Sequence, residues 1–129
     1  MPVTWEIRDH ILVVTLTGDY AFEEPVHAVN KAMADPQFLP GTALLVDARE
    51  THAHRTSDDF RQRARWVASL QSRGLAGRCA IVIRPDLNQV GMARMAATHH
   101  EIAGLVMEIF TDFDEALIWL SSSSASGGS

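Results

Sequence analysis

The side chains best suited to chemistry lie at and after the end of one apolar run, residues 43–48. They are an aspartate, two arginines and two histidines: Asp47, Arg49, His52, His54 and Arg55. The run predicts a strand buried on both faces, and a helix is expected to begin at about Ser57. Cations beside the free N–H groups of a helix start could bind a phosphate or a carboxylate. The alternative is a solvated loop, because three nearby acids weaken the positive field: Glu50, Asp58 and Asp59.

Proton transfer is a second chemistry that this segment could support. Asp47 could act as acid or base together with His52 or His54. An aspartate at a strand end more often bonds the backbone of the loop that it starts. Cys79 stands within an apolar strand, where its thiol pKa should be raised and its access poor. The chain also lacks a Gly-x-Ser-x-Gly, Gly-x-Gly-x-x-Gly or Walker-type motif, so we assign no catalytic residue.

Histidines occur in two close pairs, His52 with His54 and His99 with His100. A zinc-binding helix places its histidines four residues apart, as in His-Glu-x-x-His. Adjacent histidines on a helix instead point about 100° apart and do not easily share one metal. We therefore expect structural or solvated histidines, with no metal and no cofactor.

Alternating strands and helices must position these groups. Strands are predicted at residues 3–8, 11–17, 43–48, 79–83 and 105–110, and helices at about 23–34, 57–72, 87–103 and after Asp112. The short Asp9-His10 connection makes the first two strands a hairpin. The order β-β-α-β-α-β-α-β-α predicts an α/β fold with a mostly parallel five-stranded sheet, an antiparallel first strand at its edge and about four helices. Residues 1–120 are expected to form one domain, and residues 121–129 a disordered Ser/Gly-rich tail.

The predicted third helix has more apolar surface than one contact face requires. Met92, Met95 and His99 lie along one side, and Val90 and Ala97 lie along an adjacent side. A one-sided surface helix needs an apolar stripe of only about 100°. Methionines suit adaptable surfaces, so this helix predicts a subunit interface or the wall of an apolar ligand pocket. The alternative is that the sheet and the neighbouring helices cover it.

The composition limits the expected partners and location. The chain of 129 residues carries a formal net charge of -5, which argues against nucleic acid as a partner. A hydrophobic fraction of 47% is enough for a real core. The single cysteine favours a reducing compartment. Neither a signal-peptide pattern nor an apolar run of the ~20 residues that span a membrane is present, so we expect a cytoplasmic protein with no integral membrane segment.

Three segments carry a family resemblance: the strand end Leu45-Val46-Asp47-Ala48, the stretch Val90-Gly91-Met92-Ala93-Arg94-Met95, and Phe110-Thr111-Asp112-Phe113-Asp114-Glu115-Ala116-Leu117-Ile118-Trp119-Leu120. Here the chain resembles the small bacterial SpoIIAA-like proteins related to STAS domains. The closing Glu-Ala-Leu-x-Trp-Leu pattern is the most specific part. The resemblance implies a STAS-like fold with helices largely on one side of the sheet, a fold that is also likened to lipid-carrying CRAL-TRIO domains.

Anti-sigma-factor antagonists of this group carry a phosphorylatable serine in an Asp-Ser-[Ser/Thr]-Gly-Leu motif. The matching region, residues 47–59, lacks that motif, because Thr56 and Ser57 are followed by two aspartates rather than by Gly-Leu. Those aspartates would repel a phosphate placed beside them. The sequence leaves open whether Thr56 or Ser57 is phosphorylated.

Three functions remain open at this point. The first is a non-enzymatic cytoplasmic binding or interaction module that forms a homodimer or contacts a protein partner. The second is a carrier of a small amphiphilic or acyl ligand, with arginines at its polar head. The third is an unrecognised enzyme that uses the aspartate and histidines described above. The residues predicted for binding are Asp47, Arg49, Arg55 and Arg84 for a ligand, and Met92, Met95 and His99 for an interface.

Overall fold

The computed structural model describes residues 3–18, 23–51, 57–83, 101–102 and 105–127. Within these ranges the strands are β1 Val3–Arg8, β2 Ile11–Gly18, β3 Thr42–Thr51, β4 Leu75–Val82, β5 Glu101–Ile102 and β6 Leu105–Phe110. The α-helices are α1 Glu23–Met33, α2 Ser57–Ser69 and α3 Phe113–Gly127, and a 3₁₀ helix, Leu70–Arg73, follows α2 directly. None of the helices in these ranges is long and apolar enough to cross a membrane.

The strands form one mixed sheet with the order β1-β2-β3-β4-β6-β5. β1 runs antiparallel to β2, whereas β2, β3, β4 and β6 are parallel neighbours. The predicted sheet is therefore confirmed: it has five main strands, of which the antiparallel first strand is at an edge. The sixth strand, β5, is a two-residue addition that pairs antiparallel with β6 at the opposite edge.

The core lies on both faces of the sheet. One face packs against α1 and α2, and its buried residues include Leu12, Val29, Leu44 and Val67. The other face packs against α3, and its buried residues include Val13, Leu45, Ala80 and Leu120. Leu44 and Leu45 point to opposite faces and are 1% and 0% exposed, which confirms that β3 is buried on both sides. Two of the three described helices share a face, in keeping with the implied one-sided arrangement.

The third helix predicted at 87–103 is only partly testable. Residues 84–100 lie outside the described part of the chain, and with them the interface residues Met92, Met95 and His99. The prediction is wrong at its end, because residues 101–102 form β5 and not helix. Ile102 lies opposite Leu105 in β6. Backbone pairing at the sheet edge suits this β-branched residue better than the end of a helix does.

The last helix begins where the sequence predicts but ends later than its composition suggests. Its start agrees with the sequence, since the Glu115 N–H donates to Asp112 Oδ1 at 3.1 Å, as expected for a cap. Its end does not, because α3 continues to Gly127, through most of the segment predicted to be a disordered tail. Serine and alanine cost little in a helix that has already nucleated. The assignment of residues 1–120 to one domain stays a prediction.

Gly74 ends the helical segment that begins with α2. Its φ is 108°, and its N–H donates to the carbonyls of Gln71 and Leu70. A Cβ at this position would meet Pro40 Cα at 3.5 Å and Phe38 Cε1 at 3.6 Å, which are ordinary contacts. The requirement for glycine is therefore mainly conformational.

We expect Gly74→Ala to lower the free energy of unfolding by about 1–2 kcal/mol, because alanine rarely adopts a positive φ. Urea denaturation followed by circular dichroism measures the change. Gly74→Asn is the matched comparison, since asparagine tolerates positive φ better than alanine. A larger loss for asparagine than for alanine would contradict a conformational cost and indicate a steric one.

Candidate functional site

Asp47 and Arg49 form the most closely bonded polar pair in the described part of β3. Arg49 Nε donates to Asp47 Oδ1 at 2.9 Å, and Arg49 Nη2 donates to Asp47 Oδ2 at 2.8 Å. The Arg49 backbone N–H also donates to Asp47 Oδ1, at 3.2 Å. Asp47 thus bonds the backbone that follows it, as strand-end aspartates commonly do, and it holds a two-pronged arginine contact as well.

An irregularity in the sheet accompanies this pair. Thr15 of β2 lies opposite Asp47, but Thr17 lies opposite Glu50, so β3 gains one residue between these positions. Such bulges bend a strand and redirect side chains, and they occur often near functional sites. The extra residue falls where Arg49 must turn back toward Asp47.

The two partners differ in their exposure to solvent. The side chain of Asp47 is 10% exposed and that of Arg49 is 40% exposed. Hydrogen bonding to Asp47 raises the pKa of Arg49 above its ordinary value, the nearby acids Asp47, Glu50 and Asp112 add to this, and burial opposes it. Arg49 therefore keeps its charge and covers a buried carboxylate.

An aromatic ring connects this pair to the edge strand. The guanidinium carbon of Arg49 lies 5.3 Å from the centroid of the Phe113 ring, and that of Arg8 lies 5.5 Å from the same centroid. β1, β3 and α3 each contribute one residue to this arginine–phenylalanine cluster, which consists of Arg8, Arg49 and Phe113. Arg8 also forms an exposed ion pair with Glu6 at 3.7 Å.

The chemistry open to the cluster is binding rather than proton transfer. Both carboxylate oxygens of Asp47 accept hydrogen bonds from Arg49, so this aspartate is poorly placed to accept a proton from a substrate. A guanidinium has five N–H donors, and Asp47 engages only the Nε and Nη2 groups of Arg49. The remaining donors and the adjacent ring can contact an acidic group on an apolar body.

Only part of the predicted site can be located. Asp47 and Arg49 come together as described, whereas Arg55 and Arg84 lie outside the described residues. The histidine pairs considered for acid–base or metal chemistry lie there too. Among the residues that the structure describes, no three His, Cys, Asp or Glu side chains are grouped closely enough to hold a metal. The ligand-binding assignment as a whole stays a prediction.

Sequence reasoning missed two members of the cluster. They are Arg8 and Phe113, neither of which stands near Asp47 in the sequence. The available signal was positional, since Phe113 directly follows the Asp112 cap of a helix that begins at the carboxyl end of the parallel strands. That end of an α/β sheet is where sites usually lie.

A second concave surface lies near the amino ends of the parallel strands. It has a volume of about 230 Å³ and is bounded by the β1–β2 turn, the starts of β3 and β4, and the later part of α3. Arg78 lines it, and its guanidinium carbon lies 5.6 Å from the Trp119 ring centroid. Phe110 contacts the same ring with a centroid distance of 5.6 Å. Arg78 therefore packs on the aromatic pair of Phe110 and Trp119, which is separate from the arginine–phenylalanine cluster.

Cys79 is buried in the core, as predicted, and burial raises its pKa to about 12. We expect no reaction with a thiol reagent in the native protein at about pH 8, and full reaction after unfolding in urea. Rapid labelling without denaturant would contradict the burial of the thiol.

The buried thiol also makes stability depend on pH. An unfolded cysteine loses its proton near its ordinary pKa of 9.0, whereas the folded thiol keeps it. The native state is therefore expected to lose stability as the pH rises above about 9, since the folded state then binds the extra proton. A Cys79→Ala variant that shows the same loss of stability at alkaline pH would assign that loss to other groups.

Comparison with known proteins identifies the fold. No family model matches the chain, and no curated protein sequence matches it. The structure is similar to the crystal structure of an uncharacterized protein of the DUF3478 family with a SpoIIAA-like fold, from Shewanella loihica PV-4. The TM-score is 0.58 at 18% sequence identity, and the match covers 92% of this chain and 91% of that chain. The chain thus has a SpoIIAA-like α/β fold, which confirms the resemblance at the level of the fold.

Proposed function

We propose that this chain is a non-enzymatic binding or interaction module of the cytoplasm, and that the arginine–phenylalanine cluster is its recognition surface. The observation that carries the proposal is the placement of two guanidinium groups over Phe113, at 5.3 and 5.5 Å, beside an aspartate that is already fully engaged. Arginine and aromatic side chains are enriched among the residues that dominate binding energy. The Arg49 guanidinium, which Asp47 holds in place, can bind a partner without taking part in a reaction.

The charge balance of the cluster indicates what it would recognise. Asp47 balances Arg49, and Glu6 balances Arg8. The cluster therefore has little net charge for attracting a phosphate or a nucleic acid from a distance. Its remaining donors favour short-range, planar hydrogen bonding to a carboxylate, and the Phe113 ring favours an apolar group next to that carboxylate.

The second candidate function, a carrier of a small amphiphilic or acyl ligand, uses the same chemistry. The half-exposed side chain of Arg49 beside the ring of Phe113 favours it, and Arg55 and Arg84 remain the other predicted contacts for the polar head. A protein partner would present an acidic side chain beside an apolar one. The enzyme hypothesis is less well supported, because Arg49 occupies both oxygens of Asp47.

We expect titration with sodium octanoate, or with a short peptide carrying an acidic and an apolar side chain, to shift the NMR signals of Arg49 Nε–H and the Phe113 ring. Acetate should do so far more weakly, since it lacks the apolar body. Arg49→Lys is expected to abolish the shift of the Phe113 ring signals, because lysine cannot donate in a planar fork. Arg78→Lys is the matched control, because Arg78 lies over a different aromatic ring, that of Trp119.

The two probes separate the candidate functions. Saturating shifts with octanoate, together with extra mass on the purified protein in native mass spectrometry, favour the ligand carrier. Shifts with the peptide alone favour the interaction module. Unchanged Arg49 and Phe113 signals with both probes would show that the cluster is not a recognition surface.

A further inference from the structure

Among the described strands, β1 is at the edge of the sheet. β1 has β2 on one side, and no described strand pairs with it on the other. It joins β2 through the two-residue turn Asp9-His10, whose φ values are 51° and 63°. A turn with positive φ at both central residues closes on a hydrogen-bonded pair, which here is Arg8 with Ile11.

The hydrogen-bonding phase of β1 follows from that turn. Hydrogen-bonded and non-hydrogen-bonded pairs alternate along an antiparallel ladder. Thr4, Glu6 and Arg8 therefore direct their N–H and C=O groups at β2. Val3, Trp5 and Ile7 direct theirs outward, away from the sheet. Such a row of outward groups is a template for another strand.

A groove lies beside this edge. It has a volume of about 360 Å³ and runs between β1 and α1. Its lining residues are Val3, Thr4 and Trp5 from the strand, and Glu24, His27, Ala28 and Lys31 from the helix. The helix residues are spaced at i, i+3, i+4 and i+7, so they form one stripe of α1. That stripe faces the same edge as the outward backbone groups.

We propose that the occupant of this edge is a second copy of the chain, whose β1 pairs antiparallel with this β1 about a two-fold axis at Trp5. In that register Trp5 lies opposite Trp5 of the second copy, and Val3 lies opposite Ile7. Each outward residue then sits in a hydrogen-bonded pair, which gives about six hydrogen bonds between the chains. The two sheets become one continuous sheet.

Neighbouring registers are less favourable. An axis at Glu6 places Glu6 directly opposite Glu6 of the second copy, and like charges in that position are destabilising. An axis at Ile7 places Trp5 opposite Asp9, which lies in the turn rather than in the strand. The axis at Trp5 keeps residues 3–7 paired within the strand and brings no like charges together.

The helix stripe is self-complementary under the same axis. A two-fold axis makes the two α1 helices antiparallel, so Glu24 faces Lys31 of the second copy and His27 faces Ala28. α1 packs over both β1 and β2, and strands are about 4.8 Å apart. The two helix axes then lie about 10 Å apart, which is a normal helix-packing distance. Opposite charges and a small residue meet where the helices approach.

The first test is the dimer affinity, measured by sedimentation equilibrium on the full chain. We expect a dimer, and we expect Glu24→Lys or Lys31→Glu to raise the dimer Kd about tenfold, because each change is repeated across the axis. The combined reversal Glu24→Lys/Lys31→Glu should restore the affinity. Glu23→Lys is the matched control, since Glu23 does not line the groove. A monomer at all concentrations, or a dimer indifferent to both single reversals, would overturn the proposal.

Amide hydrogen exchange supplies a second test that does not depend on any variant. At concentrations where the dimer forms, the Trp5 and Ile7 amides should be protected, and on dilution to monomer they should exchange freely. The Glu6 and Arg8 amides should stay protected at both concentrations, because they bond to β2. Equal exchange of Trp5 and Ile7 in monomer and dimer would place the interface elsewhere on the chain and overturn the proposal.

Discussion

Replacing Leu45 with alanine is expected to lower the free energy of unfolding by about 3–5 kcal/mol. Leu45 is 0% exposed and belongs to the core between the sheet and α3. It lies in β3, with β2 and β4 hydrogen-bonded on either side. A strand held on both sides cannot move inward to fill the space left by a lost side chain, so the substitution leaves a cavity.

The comparison for Leu45→Ala is Ile118→Ala on α3. Ile118 is 63% exposed, so its removal should change stability by no more than about 0.5 kcal/mol. Urea denaturation measures the difference in the free energy of unfolding. One m-value, the dependence of that free energy on urea concentration, is used for both variants and the parent. A loss below about 1 kcal/mol for Leu45→Ala would show that α3 is not firmly packed on the sheet.

Arg49→Met is expected to lower the free energy of unfolding by about 1–3 kcal/mol near neutral pH, because it leaves a buried carboxylate without its two guanidinium donors. Methionine keeps much of the apolar length of the side chain, so the loss reports mainly on the hydrogen bonds and charge.

Arg8→Met is the control for the Arg49 variant. Arg8 lies over the same Phe113 ring, but its ion pair with Glu6 is long at 3.7 Å and both side chains are about half-exposed or more. Exposed pairs of this kind contribute up to about 1 kcal/mol, and no buried charge is left behind. Equal losses for the two variants would show that the contact between Asp47 and Arg49 contributes little.

The strands and the burial of β3 on both faces could be predicted because their signals are local in the sequence. The continuous apolar run 43–48 indicated burial on both faces, and Leu44 and Leu45 show it. The turn at Asp9-His10 fixed the antiparallel edge strand, since two residues allow no other connection between neighbouring strands. β4 was placed correctly in order but starts at Leu75 rather than at residue 79, because its pairing with β3 extends beyond the strongly apolar part.

The candidate site could be predicted only in part, because its geometry depends on elements far apart in sequence. Asp47 and Arg49 are two residues apart on one strand, so a shared face was foreseeable. The contact of Phe113 with Arg8 was not, because it depends on how α3 lies across the sheet from β1. The register shift between β2 and β3 has no signature in residue types, so nothing in the sequence indicated how Arg49 would turn.

The turn between β1 and β2 also has a consequence for the order in which the chain folds. The hairpin joins strands that are adjacent in sequence, whereas each parallel pairing of β2, β3 and β4 requires a long crossover. Local pairings generally form early, because closing a short loop loses less entropy. Yet Asp9 and His10 both adopt a positive φ, which disfavours this turn relative to Asn-Gly. Formation of the β1–β2 hairpin, which should come first in folding, is thus slowed by the residues of its own turn. During that delay β1 can pair with the β2 of another chain.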